Sequence, residues 1–278
     1  MAIKINYAKV HTLANILKNI GLNKILKIEL IDPQFISIKS LAGICKSKTP
    51  LLSYLNALIS YKLSCRGELY WLEFSEFFRN SRLCNEYERD LIINVKEQML
   101  KSFNEFLRVS KCNKAGIQTK MKRLVKISAM LEPIYSTILC KEFLKLWELT
   151  YRLLKVRPES KTIVFSVKMA YYGLKALGQY LTSLPMNIPI PVDTRIAKVT
   201  YYSGLLVGPT NWRELYVNTK AVIDVWNRIA YLSLVPPLHI DSLLWLLLNK
   251  TLRSKFREIL GDELLGMLIK ELGIGTSD

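Results

Sequence analysis

The sequence predicts an all-α protein, and three observations carry that prediction. Apolar residues recur at helical spacing along most of the 278-residue chain, and half of its residues are hydrophobic. Proline follows a helix-capping residue at Asp32-Pro33 and at Thr49-Pro50, as it does where helices begin. The chain lacks the strict alternation of half-buried strands and the turns that join them in hairpins. The predicted helices lie near residues 7–20, 33–45, 50–63, 67–79, 86–109, 117–131, 138–155, 160–181, 193–204, 210–232, 239–250 and 252–271.

The charge of the chain indicates a polyanionic partner. Forty Lys and Arg residues against 23 Asp and Glu residues leave a net charge of +17. Such an excess favours binding to nucleic acid, and the alternative is a solvated surface in a lysine-rich proteome. Lys or Glu interrupts each apolar run before it reaches the length of a membrane span, and the first residues lack the pattern of a signal peptide. We therefore expect a soluble cytoplasmic protein, associated with the nucleoid and without a membrane partner.

The cysteines and histidines argue against a metal centre and against a Ser-His-Asp hydrolase. No two cysteines are closer than 19 residues, so the paired spacing of zinc and iron–sulfur sites is missing. The two histidines, His11 and His239, lie far apart in the sequence. We expect no metal and no cofactor. The default expectation for the cysteines is free buried thiols, and disulfides are the alternative if the source is a hyperthermophile.

A proline-rich connection leads to a single aspartate in the segment PMNIPIPVDTRIAKVTYYSG (residues 185–204). Three of the chain's ten prolines fall here, and an amphipathic helical pattern begins directly after Asp193. Long irregular connections within a compact helical pattern are often functional. Asp193 is also a good N-cap, which by itself accounts for a carboxylate at this position. The prolines indicate in addition that the carboxylate is held rigidly.

A lysine-bearing helical stripe lies upstream of this aspartate. Lys161, Phe165, Lys168 and Tyr172 are spaced so that they share one face of a helix. The stripe is either a solvated edge with snorkelling lysines or a functional face. Lys161 falls in the predicted first turn, where the positive end of the helix dipole favours the neutral, nucleophilic form of an amine. A lysine and a carboxylate on neighbouring helices are the minimum that Schiff-base chemistry requires.

These motifs resemble the helix–hairpin–helix DNA glycosylase superfamily, whose hairpin carries a lysine and whose next helix begins with an aspartate. The block PVDTRIAKVT is similar to its Val-Asp-Thr element. The blocks KTIVFSVKM, MNIPIPVDTRIA and HIDSLLWLLL resemble the archaeal GO glycosylase (AGOG) family of 8-oxoguanine N-glycosylase/DNA lyases. KVRPESK stands where the commoner hairpin has Leu-Pro-Gly-x-Gly, and a C-terminal four-cysteine loop is missing. Both departures are expected of the archaeal branch.

The resemblance implies a bifunctional DNA glycosylase and apurinic/apyrimidinic lyase. In that family a lysine 32 positions before the aspartate forms the Schiff base, and Lys161 precedes Asp193 by 32 positions. Lys161 would then attack C1′ of the damaged nucleotide, while Asp193 stabilises the oxocarbenium charge and helps to activate the amine. β-Elimination from the Schiff base would cut the strand. The alternatives are a non-enzymatic helical module that binds nucleic acid, and a monofunctional glycosylase that uses water.

The resemblance also implies which residues bind the extruded base. Phe165 and Trp245 would stack on the two faces of the base. Asp241, Lys168 and Gln34 would bind its polar edge, and Trp71 would line the pocket. As structural alternatives, the tryptophans are core residues, Asp241 caps a helix and Gln34 is an exposed first-turn residue. Basic residues near the hairpin and the aspartate are candidates for DNA-backbone contacts or solvated charges: Lys120, Lys122, Arg123, Lys126, Lys155, Arg157, Arg195 and Lys198.

We expect one glycosylase unit over residues 1–278, built from two intertwined helical subdomains with the active site in the cleft between them. One subdomain would span about 50–137, and the other 1–49 with 138–278. The helix–hairpin–helix element and the aspartate would occupy about 138–204. The expected partner is DNA containing 8-oxoguanine, bound by a monomer that carries no metal cluster.

Overall fold

A computed structural model describes residues 3–85, 93–179, 181 and 183–274, and it confirms the all-α prediction. Two-residue strands β1 (Lys4–Ile5) and β2 (Leu206–Val207) pair antiparallel. These strands were not predicted, because their pairing joins distant parts of the chain. The helices are α1 (Tyr7–Ile28), α2 (Pro33–Cys45), α3 (Thr49–Ile59), α4 (Gly67–Arg79), α5 (Arg82–Asn85), α6 (Ile93–Val109), α7 (Ile117–Ser128), α8 (Leu131–Leu139), α9 (Phe143–Leu154), α10 (Lys161–Ala176), α11 (Thr194–Tyr202), α12 (Trp212–Val217), α13 (Thr219–Ser233), α14 (Pro237–Leu247), α15 (Arg253–Leu260) and α16 (Asp262–Glu271).

Several predicted helices have different bounds in the structure. The single predicted helix 252–271 is two helices, because Gly261 adopts φ 83° and ψ 161° between them. Similarly, Asn218 separates α12 from α13 and caps the latter through its side chain. Helix α8 was not predicted, although its Pro133 is compatible with a first turn. Of the predicted helices 86–109 and 160–181, residues 86–92 and 180 lie outside the described residues.

The chain divides into two compact units whose bounds differ from the expected subdomains. The first unit comprises Met1–Asp32 and Ser183–Asp278, and the second comprises Pro33–Thr182. Residues 33–49 and 138–182 were expected to group with the chain termini. They belong instead with 50–137, because α10 packs along α3 and α9, and α2 packs against α4. Lys161 therefore lies in the second unit and Asp193 in the first.

The first unit is built around α1. This helix packs against α13, α14, α15 and α16, while α11 packs against α12. Its core is almost entirely aliphatic, and its fully buried aromatic members include Trp226 and Phe256. The Trp226 indole N–H donates to the Thr200 hydroxyl at 2.8 Å, which ties α13 to α11. The helix that follows Asp193 is thereby fixed to the core.

The second unit has a close helix pair and two disulfides. Gly173 of α10 packs against Pro50 of α3 so closely that an added Cβ would lie 2.4 Å from the proline Cα. The disulfide-bonded pairs are Cys45–Cys84 and Cys65–Cys112, whereas Cys140 is a free, exposed thiol. The default expectation of free buried thiols is wrong for these four cysteines.

Among the described residues, no single helix has the length and apolarity to cross a membrane. Within that part of the chain, α13 and α14 pass the test as a pair, and they meet at a bend of 102°.

Candidate active site

The loop between α9 and α10 is fixed by its own backbone. Lys155 ends α9 with φ 54° and ψ 49°, the left-handed conformation that usually selects glycine. The Val156 N–H then donates to the Tyr151 carbonyl at 3.1 Å. Farther along, the Trp147 indole N–H donates to the Pro158 carbonyl at 2.8 Å. This geometry shows how KVRPESK forms a tight connection without glycine, since Lys155 adopts the conformation that glycine would supply.

Lys161 is the first residue of α10 and its side chain is exposed. The Ser160 carbonyl accepts the N–H groups of Ile163 and Val164, so a regular helix starts directly at the lysine. The Thr162 hydroxyl accepts a 2.8 Å hydrogen bond from Arg123 Nη1 of α7. The first turn of α10 is therefore anchored from the side, and its lysine stands at the positive end of the helix dipole.

Helix α7 places two of the predicted DNA-backbone residues inside the second unit. Lys120 is fully buried, and its ammonium donates to Asn113 Oδ1 at 2.6 Å and lies 5.2 Å from the centre of the Tyr61 ring. Burial lowers the pKa of Lys120 to about 8. Arg123 Nη1 donates to the Leu58 carbonyl at 2.8 Å, and burial likewise lowers the pKa of Arg123. The prediction of a phosphate contact is wrong for the enclosed Lys120, and Arg123 serves an internal hydrogen-bond network.

The other basic candidates of the second unit face solvent. Lys122 and Lys126 lie on the outer side of α7, and Lys155 and Arg157 are exposed on the loop. The Arg157 side chain is 77% exposed and lies 3.6 Å from the Glu159 carboxylate. All four remain available as contacts to a DNA backbone.

Two of the predicted pocket residues are in contact in the second unit. The ring of Phe165 meets that of Trp71 edge to face, with 6.1 Å between centroids. Trp71 also packs against Phe74 and is only 1% exposed, whereas Phe165 is half-buried. Trp71 is thus a core residue, as the structural alternative held, and it also contacts Phe165, the proposed stacking residue.

Lys168 and Gln34 are buried side chains. Lys168 is 1% exposed, and its ammonium lies 5.6 Å from the centre of the Tyr172 ring. Gln34 is 5% exposed, and its neighbour Phe35 packs edge to face on Tyr172, which holds α2 beside α10. Neither the solvated-edge interpretation of Lys168 nor the exposed first-turn interpretation of Gln34 is correct.

Asp193 is the N-cap of α11. Its Oδ1 accepts hydrogen bonds from the backbone N–H groups of Arg195 and Ile196, each at 3.0 Å. The preceding connection is anchored by Ile188 and Ile190, whose side chains are fully buried. The structural interpretation of Asp193 is therefore correct. The same hydrogen bonds also fix one carboxylate oxygen in place, as a functional role requires.

A buried histidine secures the beginning of the proline-rich connection. His239 Nε2 accepts the backbone N–H of Leu184 at 3.1 Å, so Nδ1 carries the proton of the neutral ring. Nδ1 lies 2.7 Å from Glu29 Oε1, and both side chains are fully buried. This histidine of α14 therefore joins the residue that follows α1 to the start of the connection. Nothing in the local sequence of His239 indicated this role.

Arg195, a predicted backbone contact, instead joins three other predicted site residues. Its side chain is 13% exposed, with Nη2 2.5 Å from Asp241 Oδ1 and Nε 3.5 Å from Asp193 Oδ1. The guanidinium lies 4.9 Å from the centre of the half-buried Trp245 ring. Burial alone would lower the pKa of Arg195, but the two carboxylates raise it above its ordinary value. Helix α14 begins at Pro237, so Asp241 is not its cap.

Lys198, one turn along α11, is exposed, with its ammonium 5.1 Å from the centre of the Trp212 ring. A cavity of about 280 Å³ opens beside this face of α11, between it and the residues that follow α16. Within residues 3–85, 93–179, 181 and 183–274, no cluster of three or more His, Cys, Asp or Glu side chains has the arrangement to hold a metal ion.

Comparisons with known proteins find relatives over most of the chain. The family model described as "AGOG: N-glycosylase/DNA lyase" matches residues 14–276. An N-glycosylase/DNA lyase of Methanopyrus kandleri is 34% identical over 239 residues, which cover 84% of this chain and 88% of that protein. The enzyme of the same description from Methanococcus maripaludis is 30% identical over 272 residues, covering 95% and 98% of the two chains.

A solved structure is similar over nearly the whole chain. It is the 8-oxoguanosine complex of Pa-AGOG, an 8-oxoguanine DNA glycosylase from Pyrobaculum aerophilum. The TM-score is 0.79 at 25% sequence identity, over 97% of this chain and 98% of that one. The family match, the relatives and the fold point to one class of DNA repair enzyme. The chain belongs to the AGOG family and is an N-glycosylase/DNA lyase.

Proposed function

We propose that this enzyme excises 8-oxoguanine from DNA and cleaves the strand at the resulting abasic site, with Lys161 as nucleophile and Asp193 as its electrostatic partner. The observation that carries the proposal is the placement of these two groups, each at the start of a helix and each secured by its surroundings. Lys161 begins α10, whose first turn is bonded to Arg123, and Asp193 caps α11. The similar Pyrobaculum aerophilum protein, solved with 8-oxoguanosine, supports the substrate.

The proposed reaction requires both groups to act on one nucleotide. The Lys161 amine donates its electron pair to C1′ as the bond from C1′ to the base breaks, and the departing base takes up a proton. Loss of a proton from nitrogen and opening of the sugar ring give the Schiff base. Removal of a C2′ proton then expels the 3′ phosphate with the electrons of its bond to C3′. Water finally hydrolyses the Schiff base and restores the amine.

Asp193 would stabilise the positive charge that develops on the sugar as the base leaves. Two backbone N–H groups hold its Oδ1, and the buried isoleucines of the connection hold the backbone before it. A carboxylate that is already in position lowers the reorganisation needed at the transition state. The proline-rich connection would therefore hold a catalytic carboxylate in place, in addition to leading into the helix that Asp193 caps.

Base recognition would use the predicted pocket set. Phe165 and Trp245 would stack on the two faces of the extruded base, and Trp71 would support Phe165. 8-Oxoguanine differs from guanine chiefly by an N7–H donor and a C8 carbonyl, so an acceptor aimed at N7–H discriminates between them. Asp241 can supply such an acceptor. Buried amine and amide groups for the remaining polar edge would come from Lys168 and Gln34.

The exposed basic residues would bind the DNA backbone without reading its sequence. We retain Lys122, Lys126, Lys155, Arg157 and Lys198 in this role. We further propose that the enzyme acts as a monomer and is associated with the nucleoid. Binding should weaken steeply as salt concentration rises, because each phosphate contact releases counterions.

Borohydride trapping tests the proposal directly. A labelled duplex with a single 8-oxoguanine is incubated with the wild type, Lys161→Gln, Lys161→Arg or Asp193→Asn, with Lys18→Gln as a control exposed on α1. We expect a covalent band from the wild type and from the control, none from either Lys161 variant, and a strongly reduced band from Asp193→Asn. Base release is followed by mass spectrometry in the same samples.

The other outcomes separate the alternatives. Base release that survives in Lys161→Gln but not in Asp193→Asn would identify a monofunctional glycosylase that uses water. Tight, salt-sensitive binding without base release or a covalent band would leave a nucleic-acid-binding module.

A further inference from the structure

Arg195 occupies a central position among the proposed site residues of the first unit. It lies beside Asp193, proposed to act at the sugar, and beside Asp241, proposed to read the base. Its guanidinium also lies against Trp245, proposed to stack on the base. Asp241 is 46 residues from Arg195 in sequence, so this contact fixes the spacing of α14 relative to α11.

The hydrogen bonding of Arg195 is unlike that of a phosphate-binding arginine. Nη2 is bonded to Asp241, while Nε and Nη1 are buried and form no hydrogen bond within the described residues. Asp193 is paired with Nε by charge at 3.5 Å, too far for a well-formed hydrogen bond. The hydrogen bond that this side chain makes is therefore directed inward, to a carboxylate of the same unit.

One cation placed between two carboxylates links their positions. Without Arg195, Asp193 and Asp241 would share a largely buried region as like charges, which is unfavourable. The planar guanidinium can contact an aromatic face and bond a carboxylate at the same time, whereas a lysine ammonium cannot reproduce both contacts. Arg195 thus has a geometry suited to setting the position of Asp241 and Trp245 relative to Asp193.

We propose that Arg195 is a positioning residue that couples recognition of the damaged base to the reaction at C1′. The proposal rests on the function proposed above. Arg195 contacts neither the sugar nor the base in this role. It holds the base-reading carboxylate and the stacking indole in register with the carboxylate at the sugar, so that only a correctly seated base is aligned for excision.

The test compares two labelled duplexes that differ in one nucleotide: one carries 8-oxoguanine and the other an abasic site. Only the first needs Asp241 and Trp245, because the second has no base to recognise. The variants are Arg195→Gln, Arg195→Lys, Asp241→Asn and the double variant Arg195→Gln/Asp241→Asn. Lys220→Gln, exposed on α13, controls for the loss of one positive charge. Thermal unfolding verifies that each variant is folded.

We expect Arg195→Gln to slow single-turnover excision of 8-oxoguanine by about 100-fold, as misplacement of a reacting group by about 1 Å does. Trapping on the abasic duplex should fall by a smaller factor. Asp241→Asn should cost at least about fivefold less in the Arg195→Gln background than in the wild type, because coupled neighbours are not additive. Arg195→Lys should keep the affinity for DNA and still slow excision. Lys220→Gln should behave like the wild type.

A phosphate contact would give a different result. Loss of Arg195 would then weaken binding equally on both duplexes, lower the salt slope by about one, and add to the effect of Asp241→Asn. That outcome, or a wild-type rate of excision in Arg195→Lys, overturns the inference and leaves the proposed function intact. If Arg195→Gln does not fold, Arg195→Lys decides the question alone. Failure of the wild type to release 8-oxoguanine would overturn the proposed function and this inference with it.

Discussion

Replacement of Gly173 by alanine tests the helix packing that positions Lys161. Gly173 lies in α10, and a Cβ added there would lie 2.4 Å from Cα, 2.9 Å from N and 3.1 Å from Cβ of Pro50. Carbon atoms in contact are ordinarily about 3.5–4.0 Å apart, so α10 and α3 would have to separate by about 1 Å. Because most of the clash is with backbone, a change of rotamer cannot relieve it.

The expected effect of Gly173→Ala is a loss of about 2 kcal/mol in the free energy of unfolding. Overpacking costs about 1–3 kcal/mol, and the upper end applies where backbone must move. The higher helix propensity of alanine returns about 1 kcal/mol. Urea denaturation followed by circular dichroism measures the difference. Since α10 begins at Lys161, we also expect borohydride trapping to be slower than in the wild type.

Gly43→Ala is the matched control. Gly43 lies in α2 of the same unit, is exposed, and would have no neighbour within 4 Å of an added Cβ. That variant should gain about 0.5–1 kcal/mol from the same change in propensity. If Gly173→Ala is as stable as Gly43→Ala, the close approach of α10 to Pro50 is refuted.

Three further changes probe buried polar groups and the disulfides. Replacing both cysteines of Cys65–Cys112, which are 47 residues apart in sequence, by serine should lower the free energy of unfolding by about 2–4 kcal/mol in urea titrations, whereas Cys140→Ser should have no effect. His239→Ala should destabilise the fold by about 3 kcal/mol in the same assay, because it removes a buried partner from the Glu29 carboxylate. Burial lowers the pKa of Lys120 from 10.5 to about 8. Between pH 8 and pH 10.5 the unfolded chain therefore binds more protons than the folded chain, and the free energy of unfolding rises with pH. Titrations from pH 7 to 10.5 should show this rise in the wild type relative to Lys120→Met, and parallel curves would contradict the burial of a titrating amine.

The sequence predicts helices best where the local signals agree. Helix α4 begins and ends where predicted, at residues 67 and 79, and so does α2, at residues 33 and 45. In α2 a proline at the first position supplements the helical pattern, and in α4 a clear apolar stripe faces the core. The conformations of Gly261 and Asn218 are properties of single residues within helical patterns, so the breaks at these two positions were missed. At Gly21 the predicted helix 7–20 ends directly before the non-helical residue, and what was missed is the helix that continues after it to Ile28.

The misassigned basic residues have a different cause. Lys120 stands in a run of basic residues, which ordinarily indicates a solvated face. Yet it precedes the buried Leu124 and Ile127 at helical spacing, and this position in the apolar stripe was a signal that it faces inward. For Arg195 no such signal exists, because its partner Asp241 is distant in sequence. Contacts of this kind depend on tertiary packing, which periodicity and local chemistry do not specify.

For Asp193, helix capping and the proposed catalytic role are complementary. A capping carboxylate accepts backbone N–H groups through one oxygen, and here Oδ1 accepts two of them. Capping therefore fixes the carboxylate at the start of α11 by bonds that depend on the helix itself, so its position is as rigid as the helix. The buried proline-rich connection before it and Arg195 beside it constrain the remaining freedom. An oxocarbenium-like transition state needs a negative charge that does not have to move, and an N-cap at the end of a rigid connection supplies one. The sequence feature that first favoured a purely structural interpretation is therefore also the physical basis of the proposed catalytic role.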